Sequence, residues 1–283
     1  MGSCTSTTST GPEVTLPHEN GTVTVNGLPM YYEIHGEGRP LVLLHGSLGT
    51  ISTCFPVLLP ALAATRRVIA VELQGHGHTP DIDRPLTYRA MAADVVGLLA
   101  ELRFGPVDVV GYSMGGGVAI ETAIRYPDVA RRIVFAGGPA YRPDGFHPEL
   151  TAAIASQGPD EAAAHELEHS VWHRAYAEVA PEPAAWPTLV AKVNALDRSF
   201  VGWAPSQLQS IASPVMLIAG DGDLVQPQHV VDMFQVLGGG RPGDLVAMPH
   251  ARLAILPGTT HIGLLNRVDW LHSMIIEFLD SSS

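Results

Sequence analysis

Five consecutive residues, Gly111-Tyr112-Ser113-Met114-Gly115, could carry nucleophilic chemistry. They stand between an apolar run at 107–110 and a helix-like run at 116–126. A serine flanked by glycines at a strand-to-helix junction reads as a nucleophile elbow. Glycine at 111 and 115 removes the side chains that would collide in so tight a turn, and Ser113 is left projecting from the sheet edge. Its oxygen would sit at a helix N-terminus, where backbone N–H groups point outward. A serine hydroxyl is a poor nucleophile at neutral pH, so it needs a base within hydrogen-bond reach and a third group to orient that base. Two later loops supply candidates. Gly220-Asp221-Gly222-Asp223 follows an apolar run and precedes Pro227, and Pro257-Gly258-Thr259-Thr260-His261 follows another. Either aspartate could serve, or both could be turn residues.

These groups must be positioned by strands and helices, and the pattern supplies both. Residues 22–25 and 28–34 flank Asn26-Gly27 and read as a hairpin. Continuous apolar runs at 41–44, 67–71, 107–111, 132–136, 215–219 and 251–256 read as buried parallel strands. Helical patterns at 91–102, 116–126, 230–237 and 270–279 alternate with them, which implies a mostly parallel sheet covered on both faces. The alternation breaks between 138 and 206, a stretch rich in Ala, Glu, His, Pro and Trp. Helical segments at 150–156 and 160–176 make this a helical cap inserted after the sixth sheet strand. The expected organisation is a flexible tail over 1–18, a core over 19–139 and 207–283, and a cap over 140–206.

Composition sets the outer bounds. The chain has 283 residues, of which 46% are hydrophobic and 16% charged, as in a globular domain. A net charge of −12 and the lack of a basic stripe exclude a phosphate-backbone partner. The two cysteines, Cys4 and Cys54, do not make a disulfide framework. The N-terminus has neither the basic start nor the apolar core of a secretory signal, and no run of 18 apolar residues is present. The expectation is a cytoplasmic protein with no membrane and no nucleic-acid partner.

At Leu44-His45-Gly46-Ser47-Leu48-Gly49, Gly75-His76-Gly77-His78-Thr79, 111–115, 220–227 and 258–261 the sequence resembles the α/β-hydrolase superfamily, over nearly the whole span from Thr22 to Leu279. The order serine, acid, histidine is that of this fold. The resemblance implies an eight-stranded, mostly parallel sheet flanked by helices, and a catalytic set of Ser113, Asp223 and His261. Asp223 stands at the family's acid position and Asp221 does not. The oxyanion hole would be the backbone N–H groups of Ser47 and Met114. His45, His76 and His78 would be structural, and Glu72 stands where an aspartate is more usual.

The expected reaction is hydrolysis of a small or medium uncharged carboxylic ester through an acyl-enzyme, with no metal or organic cofactor. Ser47-Leu48-Gly49-Thr50 resembles the loop of enol-lactonases, so a lactone is the first rival. A cofactor-free perhydrolase and a non-enzymatic small-molecule receptor share the same residues. Trp172, Trp186 and Trp203 either line the pocket or pack the cap, and packing is favoured for most of them. His165-Glu166-Leu167-Glu168-His169 matches a zinc-hydrolase motif if it lies on one helix. Trp172 and Ala175 stand where the extended form of that motif needs glycine and histidine, and a polar cap face is the preferred reading.

Overall fold

The computed structural model describes residues 18–138, 140–156 and 160–281. Apart from His18, the expected N-terminal tail lies outside the described residues, as does Cys4. Strands β1 (His18–Val25) and β2 (Leu28–His35) form the hairpin, paired from His18↔His35 to Val25↔Leu28. Asn26 and Gly27 both have positive φ, 51° and 82°, the requirement of a tight two-residue turn that matches strand twist. The remaining strands are β3 (Arg39–Leu44), β4 (Arg66–Val71), β5 (Val107–Tyr112), β6 (Ala130–Ala136), β7 (Val215–Gly222) and β8 (Ala251–Thr260). They lie in the order β1-β2-β4-β3-β5-β6-β7-β8, antiparallel in the first two pairings and parallel in the rest.

Parallel strands need crossovers, and the chain supplies helices for them. Helices α1 (Ile51–Cys54) and α2 (Leu58–Ala63) connect β3 to β4; α3 (Tyr88–Glu101) precedes β5, and α4 (Met114–Arg125) follows it. Successive residues of a strand face opposite sides of the sheet, so each strand feeds two cores. Val42, Leu44, Val109, Ile133, Phe135 and Leu217 pack with α3 and α4 on one face. Leu41, Leu43, Val110, Val134, Met216 and Ile218 pack on the other, with α2 and the last helix. This two-sided burial is why the parallel strands read as unbroken apolar runs. The short α1 and α2, separated by Pro56 and with Pro60 inside the second, carry too few turns to show a periodicity in the sequence.

Between β6 and β7 come α5 (Pro148–Ala155), α6 (Asp160–Glu166), α7 (Val171–Val179), α8 (Trp186–Ser199) and α9 (Pro205–Gln209). Helix α10 (Pro227–Val236) joins β7 to β8, and α11 (Val268–Asp280) ends the fold. The helical run expected over 160–176 is in fact two helices. His169 takes φ 68°, and Ser170 caps α7 by accepting the His173 N–H at 3.1 Å. A side-chain cap and a left-handed residue stop the helix where the polar pattern alone runs on.

The helices over the sheet are fastened to it. Lys192 Nζ of α8 donates to Asp81 Oδ2 at 2.6 Å and to the carbonyls of Ile82 and Arg84 at 2.7 and 2.8 Å. At the other end, Trp203 Nε1 donates to Glu121 Oε2 of α4 at 2.8 Å in a buried contact. No described helix is long and apolar enough to cross a membrane.

Helix α4 packs on the sheet only because 115–117 are glycines. A Cβ on Gly116 would stand 1.9 Å from the Phe135 ring. Gly116→Ala is therefore expected to cost about 1–3 kcal/mol by overpacking, read as a lower urea midpoint at unchanged m-value. Adding Phe135→Leu should return part of that loss; a simple sum of two losses would refute the contact.

Candidate active site

Strands β4 and β5 lie on opposite sides of β3, so the connections diverge there and leave a crevice beyond the carboxyl ends of β3 and β5. Ser113 stands in that crevice, between β5 and α4. Its backbone has φ 53° and ψ −119°, a conformation that costs a side-chain-bearing residue roughly 1–3 kcal/mol. The surroundings hold it there. Ser113 N–H donates to Ala136 O at 3.0 Å, and its carbonyl accepts from Gly116 and Gly117 at 2.8 and 3.2 Å. A Cβ at Gly111 would meet Gly115 O at 2.2 Å, and one at Gly115 would meet Leu44 O at 2.3 Å. Both glycines serve the close approach of main chains.

The loops after β7 and β8 bring two partners to Ser113. His261 Nε2 lies 3.0 Å from Ser113 Oγ, and His261 Nδ1 lies 2.7 Å from Asp223 Oδ1. With Asp223 ionised, Nδ1 carries the proton and Nε2 is left with a lone pair toward the serine. Asp223 is buried and further held by the amides of Leu224 (2.7 Å to Oδ1) and Gly220 (3.3 Å to Oδ2). Tyr112 OH donates to the His261 carbonyl at 3.0 Å, and the two rings stand 5.2 Å apart, which braces the imidazole from below. Asp221 does something else: it is exposed and accepts the amides of Gly258 and Thr259, both at 3.0 Å. Those amides hold its carboxyl below the usual range and tie the end of β7 to the turn that carries His261.

Ser47 and Met114 line the same cavity as Ser113 and His261, and neither backbone amide donates to another described residue. The loop carrying Ser47 is shaped by buried histidines. His45 Nδ1–H donates to Gly46 O at 2.8 Å, and its Nε2 accepts the Leu73 N–H at 3.1 Å. His76 Nδ1–H donates to Gln74 O at 2.9 Å, and its Nε2 accepts the Leu48 N–H at 3.1 Å, beside a Leu48 backbone at φ 59°. Burial pushes His45 down to about 3 and His76 down to about 4, so both stay neutral and keep these acceptor nitrogens. Glu72, also buried, accepts the amides of His78 (2.6 Å) and Ile51 (3.3 Å) and pairs with His78 Nδ1 at 2.8 Å. A Cβ on Gly77 would stand 2.2 Å from the Glu72 carboxylate, so the longer acid is matched to that glycine.

The cavity over Ser113 has a volume of about 310 Å³. Its far wall is mostly apolar, with Phe146, Leu150, Ile154, Trp172 and Phe200. Of the three tryptophans weighed as pocket residues, only Trp172 lines it. Trp186 is buried within the cap with Nε1 donating to Ala164 O at 3.2 Å, and Trp203 is buried against Glu121. Their indole N–H groups found partners inside the protein, so they pack helices. Cys54, Tyr88 and Asp197 also line the cavity, and nothing in their local sequence marks them. Burial pushes the Cys54 thiol up to about 11, so it is inert beneath the loop at Gly49.

The zinc-like motif does not form the surface it needs. Helix α6 ends at Glu166 and His169 lies in the turn, so His165 and His169 do not share a helix face. His165 Nδ1 instead pairs with Glu168 at 2.9 Å. Among the described residues no group of three His, Cys, Asp or Glu side chains could hold a metal ion.

A crevice at a sheet switch point, with a strained serine beside a carboxylate-backed histidine, is the plan of one hydrolase class. The chain matches the model of the alpha/beta hydrolase family over residues 41–272, and it belongs to that family. It is 38% identical over 115 residues to pyrrolizixenacetamide deacetylase of Xenorhabdus hominickii, a stretch that covers 41% of this chain and 43% of the relative. The aligned region thus spans less than half the length of that relative. Over 273 residues it is 26% identical to the sn-1-specific diacylglycerol lipase of Mus musculus, covering 87% and 81% of the two chains. Among solved structures, the enol-lactonase from Burkholderia xenovorans LB400 superposes with a TM-score of 0.67 at 22% identity, over 92% of this chain and all of that one.

The buried neutral histidines set an acid limit on the fold. An unfolded histidine titrates near 6.5, so below that pH the unfolded chain takes up protons that folded His45 and His76 refuse. The stability they contribute is complete above about pH 6.5 and drains away on acidification, down to about pH 4 for His76 and about pH 3 for His45. Proton uptake on unfolding at pH 5, measured by calorimetry in several buffers, should fall by about one proton in His76→Asn. Unchanged uptake would mean that His76 is already charged in the folded protein.

Proposed function

We propose that the chain is a serine hydrolase that cleaves a carboxylic ester of small or medium size through an acyl-enzyme. The reading is carried by one observation: the relay Ser113 Oγ, His261, Asp223 at 3.0 and 2.7 Å opens onto a cavity also lined by Ser47 and Met114, whose amides are unengaged among the described residues. As Ser113 attacks the ester carbonyl, its proton passes to His261 Nε2. The imidazolium is stabilised by Asp223 at Nδ1. The carbonyl oxygen becomes an oxyanion between the N–H groups of Ser47 and Met114, the latter at the positive end of α4. His261 then gives its proton to the leaving alcohol, and the acyl group stays on Ser113. Water enters and loses a proton to His261 as its oxygen attacks the acyl carbon; the bond to Ser113 then breaks, Ser113 Oγ takes that proton back from His261, and the acid is released.

The cavity volume and mostly apolar far wall suit a compact substrate. A deacetylase and a diacylglycerol lipase among the relatives define the acyl lengths to assay, from acetyl upward. The loop Ser47-Leu48-Gly49-Thr50 keeps lactones in the panel, because a lactone needs the same oxyanion site but keeps its leaving oxygen tethered.

Ser113→Ala is expected to lower kcat/KM on p-nitrophenyl esters by about 10⁴-fold or more while the protein stays folded by circular dichroism. Near-parental turnover would remove Ser113 from the mechanism. Asp223→Asn should cost about 10⁴-fold by favouring the wrong imidazole tautomer, whereas Asp221→Asn, which keeps an acceptor for the turn amides, should cost far less. Turnover should fall on acidification, since a protonated His261 cannot accept the serine proton, and should survive exhaustive chelation. A chelation-sensitive rate restored by zinc would replace the serine reading with a metal one.

A further inference from the structure

One group in the cavity has no place in the mechanism above. Asp197, in the last turn of α8, lines the same cavity as Ser113 and is its only carboxylate among the described residues. Among the described residues its side chain has no hydrogen-bond or ion-pair partner. Its neighbour Arg198 is committed elsewhere, to both oxygens of Asp160 at 3.1 and 3.2 Å. Asp197 is exposed, and it is one of the residues that line the cavity. Burial pushes its carboxyl up to about 6, against a small opposing pull from Arg198.

The wall around it is aromatic. Phe200 follows one turn on, with its ring 5.9 Å from Tyr88 and 6.2 Å from Phe146, and all three rings border the cavity. Tyr88 lies close enough to Asp197 for the carboxylate charge to act on its phenol. A carboxylate and aromatic rings lining one cavity are a combination that holds an ammonium group, through ion pairing and cation–π attraction together. A neutral apolar substrate would leave the acid desolvated and unanswered.

We propose that Asp197 is a specificity-determining residue that binds a cationic nitrogen on the substrate, so that the preferred esters carry an amine or quaternary ammonium away from the scissile bond. That the bound molecule is an ester rests on the reading in the preceding subsection; the cation subsite does not. The expectation of an uncharged ester is thereby revised.

The test uses two molecules of nearly the same shape, butyrylcholine and 3,3-dimethylbutyl butyrate, which differ in charge. Their binding to Ser113→Ala is measured by calorimetry at pH 8, where no turnover confuses the reading. The cation should bind about tenfold more tightly, the size of one partly screened charge pair, and the ratio should fall to within about twofold when Asp197→Asn is added. The same pair built on the acyl side, p-nitrophenyl esters of 4-(trimethylammonio)butyrate and 5,5-dimethylhexanoate, covers the other orientation. Equal binding within both pairs, no binding of either, or a preference that persists in Asp197→Asn would overturn the subsite. Hydrolysis by the parent protein is then assayed separately. Binding preference without Ser113-dependent hydrolysis would sink the esterase reading and leave the subsite. Hydrolysis without preference would do the reverse.

Discussion

The close approach of Gly115 to the end of β3 is the constraint on which the rest depends. With a glycine at 115, the start of α4 can sit against Leu44 O, where a Cβ would intrude to 2.3 Å. That contact sets the start of the helix beside the loop that follows β3, so Met114 and Ser47 line one cavity. It also forces the turn between β5 and α4 to be so tight that Ser113 is driven to φ 53°. A strained residue persists only when its neighbours over-determine it. Here the Ala136 carbonyl, the first-turn amides of α4 and the tight seat of Gly111 all do so. Sheet, helix and the Ser113 backbone are fixed by one packing event.

A second layer keeps the loop after β3 in place, and it is polar where a core would normally be apolar. His45, His76 and Glu72 are all buried, and each uses its polar atoms on the backbone of the loops at 46–51 and 73–78. Buried polar groups are tolerable only when partnered, and a partnered network leaves loops little freedom. Two imidazoles that must stay neutral give this rigidity a chemical condition, since protonation would turn each acceptor nitrogen into a donor facing another donor.

Much of this was legible in the residues and some was not. The parallel strands read as apolar runs because both of their faces are buried, and Asn26-Gly27 announced its hairpin because few other pairs take two positive φ values in succession. Ser113, Asp223 and His261 stand in loops directly after strands, where turn glycines and a proline mark the chain's exit from the sheet. Short helices such as α1 and α2 escaped because four to six residues show no period. The break at His169 escaped because Ser170 is an ordinary polar residue until it is seen to cap. Asp197 and Tyr88 could not be singled out at all. Which face of a cap helix meets the cavity depends on how α8 docks, and that is decided by Lys192 and by packing far along the chain. The tryptophans are legible as a group but not one by one: packing is expected for most of them, and Trp186 and Trp203 hold helices together while Trp172 lines the cavity.

Lys192 grips three oxygens on the loop after β4, while Trp203 is locked to Glu121 beneath the far end of the same helical layer. A roof nailed at both eaves does not swing open like a hinged lid. The cavity wall reaches the outer surface at Leu224 and Ile262, which are exposed and line the cavity together with Leu150 and Ile154 of α5. Bulky side chains at such a margin would sieve an arriving molecule by girth before it meets Ser113. Changes in α5 could then redraw the range of admitted guests while the machinery below stays as it is.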